Sequence, residues 1–102
     1  MELRPGSRWK SAVCDTEVVV VRSAGAALSL ECGGQPMIAH AEPRPAGGVL
    51  SEDRAAGTQA GKRFADEASG IELLCTKAGA GSLSIDGREI SVKEAKKLPA
   101  SD

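Results

Sequence analysis

Four side chains in this 102-residue chain have the chemistry to hold a soft metal ion or to exchange electrons: Cys14, Cys32, Cys75 and the single histidine, His40. A thiolate is a soft anionic donor, and a tetrahedral zinc or iron site takes four such groups. Cys14 and Cys32 lie in two short stretches, Trp9-Lys10-Ser11-Ala12-Val13-Cys14 and Glu31-Cys32-Gly33-Gly34-Gln35-Pro36-Met37. Each brings one cysteine rather than two. Ser11 could ligate only through a hydroxyl oxygen, a much poorer ligand for a soft metal, and Gly33 cannot ligate at all. Three readings stay open on these residues. Cys14 and Cys32 are small buried hydrophobes, or they bind zinc or iron with help from Cys75 or His40, or they close to a redox disulfide. No cofactor is favoured; zinc or iron is the metal if there is one.

The order of these residues resembles the desulforedoxin-like domain, which also forms the front of desulfoferrodoxin. That pattern runs aromatic-Lys-Cys-x-x-Cys, a valine-rich strand, a glycine turn, a second strand and a Cys-Cys-Gly-x-x-Met close. Here Ser11 stands at the first cysteine, Cys14 at the second, Cys32 at the third and Gly33 at the fourth. Gly34, Met37 and the run Glu17 to Val21 match the remainder, so the resemblance covers roughly residues 9 to 38, about a third of the chain. It implies a rubredoxin-like knuckle unit that brings Cys14 and Cys32 together, with Trp9 packed as a lid near the knuckle. It also implies a twofold pair of chains. A loaded centre would be structural zinc, or iron in rubredoxin-like electron transfer.

Other chemistry is sparse. Nucleophilic catalysis needs a base beside a cysteine or serine, and His40 lies in a proline-flanked loop where it reads as a solvated side chain. Glu52-Asp53 and Asp66-Glu67 read as solvated charge, and the glycines of Cys32-Gly33-Gly34 and Gly79-Ala80-Gly81 open no helix that would cradle a phosphate. The chain is therefore read as not an enzyme. Thirteen basic and fourteen acidic residues are interspersed, leaving a formal net charge of −1, so there is no electrostatic case for nucleic acid or anionic membranes. No apolar run is long enough to span a bilayer, and the N-terminus lacks a signal-peptide core. A cytoplasmic location is expected. Three cysteines without a secretory context argue against a disulfide framework and for thiols kept reduced.

The elements that must position these residues are β-strands. Residues 11–22 contain Val18-Val19-Val20-Val21, a run that does not alternate and so predicts a strand covered on both faces. Residues 27–30 follow the break at residues 23–26 and predict a local hairpin turning at Gly25. Residues 72–76 and 82–92 form a second β-rich half turning at Gly79, with Asp86-Gly87 a strong two-residue hairpin signal. The halves look alike when Val20 is laid over Leu74 and Leu30 over Ile85, which sets a pseudo-twofold repeat against chance similarity.

The expected fold is thus all-β: a knuckle unit over residues 1–40, a loop or linker over 41–61, and a second β-hairpin unit with a charged tail over 62–102. With one Trp, one Phe and no Tyr, the core is thin. That points to a non-enzymatic accessory or protein-interaction module, joined through sheet edges to a protein partner or to itself as a homo-oligomer.

Overall fold

The computed structural model describes residues 3–23, 28–45, 47–66 and 68–92. It is all-β, with ten short strands in two antiparallel sheets. In chain order they are β1 (Arg8–Lys10), β2 (Glu17–Arg22), β3 (Leu30–Cys32), β4 (Gln35–Pro36), β5 (Ile38–Ala39), β6 (Arg63–Asp66), β7 (Ile71–Lys77), β8 (Leu83–Ile85), β9 (Arg88–Glu89) and β10 (Ser91–Val92). One 3₁₀ turn, Glu52–Arg54, lies between β5 and β6. The six-stranded sheet runs β10-β6-β7-β2-β1-β5 and the four-stranded sheet runs β4-β3-β8-β9. Both tight turns of the second sheet have positive φ at their two central residues, Gly33-Gly34 at 67° and 85° and Asp86-Gly87 at 49° and 83°. That is the twist a two-residue antiparallel hairpin requires. Pro36 is confined to the end strand β4, where a missing N–H breaks no ladder.

The pairing differs from the expected local hairpins. β2 does not pair with β3, nor β7 with β8; the chain passes from the six-stranded sheet to the four-stranded one between β2 and β3 and again between β7 and β8. β2 pairs instead with β7, and β3 with β8. The turn expected at Gly25 lies outside the described residues, as does the tail after Val92, while Gly79 forms an isolated bridge with Thr58. Residues 11–16, read as the start of a strand, form the loop between β1 and β2. The physical reason is burial: a two-stranded hairpin covers too little apolar surface to be stable alone, whereas crossing strands bury both halves against each other.

Exchanging β1–β5 for β6–β10 leaves both strand orders unchanged. The registers agree: Arg8 faces Val19 as Arg63 faces Leu74, and Trp9 faces Val18 as Phe64 faces Leu73. Gly6 N–H donates to Val20 O at 2.7 Å, as Gly61 N–H does to Cys75 O at 2.8 Å. In the second sheet Leu30 lies across from Ile85 and Cys32 from Leu83, about a centre at Glu31 and Ser84. The counterpart of Leu30 is therefore Leu83, two residues from the match that sequence likeness suggested.

One core joins the sheets. Val18, Val20, Ile71, Leu73, Cys75 and Phe64 meet Leu30, Cys32, Leu83 and Ile85, with Leu3, Met37 and Ile90 at the margins. Trp9 packs against this core partly buried, in keeping with a lid, and its indole donates to Ser7 Oγ at 3.1 Å. The four-valine run is not wholly buried, which corrects the expectation. Val18 and Val20 are each 1% exposed, whereas Val21 is 39% exposed. Successive side chains point to opposite faces of a strand, and only one face of β2 meets the core. Val20→Ala should therefore cost about 2 kcal/mol, and Val21→Ala no more than about 0.5 kcal/mol. Denaturant unfolding of the two variants measures the difference.

Candidate functional site

The loop between β1 and β2 presents Cys14 beside Cys32, the last residue of β3. Their sulfurs are 3.8 Å apart. Ser11, fully buried, holds the loop in shape. Its N–H donates to Thr16 O at 2.8 Å, and its Oγ accepts from the amides of Val13 and Cys14, each at 3.1 Å. This is a local side-chain turn of the kind serine favours. The Cys14 thiol donates to Thr16 Oγ1 at 3.3 Å. Cys32 is inaccessible, while Cys14 is half-buried. Cys32 sits between β4 and β8, so the strand fixes its position from both sides.

The second half of the chain closes the site. Residues 79–81, between β7 and β8, pass over the two cysteines. A Cβ on Gly79 would run into the amide and hydroxyl of Thr16, and one on Gly81 would come within 3.0 Å of Cys32 Sγ and 2.9 Å of Gly33 N. Glycine is needed at both positions because backbone lies where a side chain would be.

The two thiols differ in electrostatics. Burial pushes the Cys14 thiol up, but hydrogen bonds that the hydroxyls of Ser11 and Thr16 and the amides of Thr16 and Gly81 give to the sulfur once it is a thiolate outweigh this. They lower it from 9.0 to about 7. Such bonds favour the charged form. Burial pushes Cys32 up to about 12, with the charge of Cys14 adding to it. The half-buried thiol ionises readily and the fully buried one does not.

The other expected ligands lie elsewhere. The Cys75 thiol, buried in the core face of β7 and pushed up by burial, donates to Lys77 O at 3.2 Å. His40 is exposed, and its Nε2 meets Glu17 Oε1 at 2.9 Å, with Lys77 Nζ 3.9 Å from the other oxygen. Among the described residues no three of His, Cys, Asp and Glu gather in a way that could hold a metal ion. Two thiols backed by the hydroxyls of Ser11 and Thr16 do not fit a tetrahedral shell of soft donors. The second half has no matching pair: Ser69 occupies the place of Cys14 in the loop between β6 and β7, and Ile85 the place of Cys32 at the end of β8.

Comparison with family models, with curated proteins and with solved structures found no match to this chain.

Sequence reasoning brought Cys14 and Cys32 together but missed Thr16, Gly79 and Gly81. Gly79-Ala80-Gly81 carried a signal, two glycines with one residue between, which marks close backbone approach as readily as a turn. Thr16 carried none, since its role depends on the loop geometry.

At neutral pH about half of Cys14 should be thiolate, so its alkylation rate should rise through a midpoint near pH 7. Cys32 and Cys75 should stay unreactive while the fold is intact. Ser11→Ala or Thr16→Val should move the midpoint up towards 9.0. Mass-resolved iodoacetamide kinetics across pH give the curve. Stability follows with opposite signs for the two thiols. Cys14, lowered on folding, stabilises the fold at pH 9 and loses that contribution as pH falls through 7; Cys32, raised on folding, loses its contribution as pH rises from 9 towards 12. Stability from this pair should therefore peak near pH 9, as unfolding across pH would show.

Proposed function

We propose that this chain is a non-enzymatic accessory module whose working part is the Cys14–Cys32 pair, passing reversibly between dithiol and disulfide. The observation that carries the reading is the 3.8 Å separation of the sulfurs, one on a half-buried residue and the other sealed in the core. A disulfide bond measures about 2.05 Å, so the sulfurs must approach by about 1.8 Å. The partner that moves is the loop bearing Cys14, since Cys32 is held in a paired strand.

Only Cys14 can meet an incoming disulfide. Its sulfur attacks one sulfur of that disulfide, forming a mixed disulfide and releasing one thiolate. Cys32 then gives up its proton and attacks the Cys14 sulfur, closing the internal bond and expelling the second thiolate. The two protein thiols together lose two electrons and two protons, and the incoming disulfide is reduced to two thiols.

Strand addition at sheet edges has less support. The outermost strands β4, β5, β9 and β10 each span two residues, too short to offer much ladder to another chain. Zinc or iron is the rival role for the same cysteines, and the shortage of soft donors weighs against it.

Treatment of the reduced protein with oxidised glutathione should remove two hydrogens by mass and link Cys14 to Cys32, leaving Cys75 free. Cys32→Ser should stop halfway, with a glutathione adduct on Cys14. A stable adduct on the wild-type protein, or a link through Cys75, would defeat the reading. Stoichiometric zinc or iron in protein purified without a chelating tag would favour the rival.

A further inference from the structure

The stretch between the halves, expected to be a loop or linker, is strapped across the loop that carries Cys14. Arg44 Nε donates to Ser11 O at 3.0 Å. Gly48 lies so close that a Cβ there would come within 2.8 Å of Val13 Cγ1 and 3.2 Å of Ala12 O. Leu50 packs in beside Gly33 and Val13: a Cβ on Gly33 would come within 2.5 Å of Leu50 Cδ1 and 2.7 Å of Val13 Cγ2. Ser51 N–H donates to Gly33 O at 2.9 Å, and Gly33 N–H donates to Ser82 O at 3.0 Å. The strap thus rests on the residue before Cys14 and on the residue after Cys32.

We infer that this strap is the output of the thiol pair: closing the Cys14–Cys32 disulfide displaces residues 47–51 from the surface formed by Ala12, Val13 and Gly33. The inference rests on the reversible disulfide proposed above. To bring its sulfur towards Cys32, the Cys14 loop must move, because β3 is paired on both sides. Val13 moves with Cys14, and it lies so close to Gly33 and Gly48 that neither glycine has room for an added methyl group. Close-packed contacts of this kind pass on a displacement instead of absorbing it. Ser51 is also held, by Gly34 beside it and by the Arg54 amide that donates to its carbonyl at 3.0 Å, but Gly48 and Val49 are exposed, Val49 at 74%. The strap is therefore the part that yields. The result is a redox-operated cover whose Leu50 lies over Val13 and Gly33.

The Ser51 amide reports the strap directly. Amide hydrogen exchange, followed by NMR on the full chain before and after oxidation with oxidised glutathione, should show Ser51 exchanging at least about tenfold faster in the disulfide form, with β2 and β7 unchanged. Gly48→Ala should give the same increase in the dithiol form, since its added methyl pushes the strap off Val13. Protection retained in β2 and β7 of that variant shows that it remains folded. A Cys14→Ser variant should not respond to the oxidant. A disulfide confirmed by mass with Ser51 exchange unchanged would overturn the strap while leaving the thiol switch standing. Failure of the disulfide to form would overturn both.

Discussion

The antiparallel seam between β2 and β7 is the contact on which the rest of the molecule depends. These are the two longest strands, and their inward faces supply Val18 and Val20 on one side and Leu73 and Cys75 on the other. A chain with one Trp and one Phe cannot fill a core with large rings. It relies instead on close approach of medium-sized side chains from two sheets, and on glycines where backbones meet. The seam sets the spacing between halves, and that spacing decides whether residues 79–81 can reach across to Thr16 and the two cysteines. The thiol site is thus a consequence of the sheet seam as much as of its own loop.

The site gains its asymmetry from the same arrangement. Cys32 belongs to a strand and takes on the burial of the core. Cys14 belongs to a loop whose inner hydrogen bonds come from small polar residues. Ser11 sets the task of that turn. It organises amides and stabilises charge on a neighbouring sulfur, without competing as a soft ligand. A pair of cysteines that differ this much suits stepwise exchange, where one sulfur must be reachable and the other must be protected until the first has reacted.

How much of this was legible in the sequence depended on how local each cause was. Asp86-Gly87 announced its turn, because the positive φ angles it needs are a property of those two residues. The strand around residues 72–76 was visible from its apolar run, and the knuckle pattern anticipated that Cys14 and Cys32 converge. The pairing of β2 with β7 was not visible, since nothing near Val18 records that its neighbour is Cys75. Arg8–Lys10 and Arg63–Asp66 escaped notice because short strands with charged ends lack a clear alternation. The valine run misled for a similar reason: Val21 carries the residue type of a buried strand, but the face it lies on is set by strands far along the chain. The strap over the Cys14 loop looked like a linker because proline and glycine mark irregular backbone and do not say whether it is packed.

The exchange of strands between the sheets also has a consequence for the order in which the protein comes together. Both central pairings join residues fifty or more apart in the chain, and such distant pairing is slow to form, because a long loop must close before any contact compensates for it. During synthesis Cys14 and Cys32 leave the ribosome well before Gly79 and Gly81. The nascent chain therefore carries two uncovered thiols through the period when it has no seam, no cover and no strap. Over that interval the finished fold lends those thiols no protection.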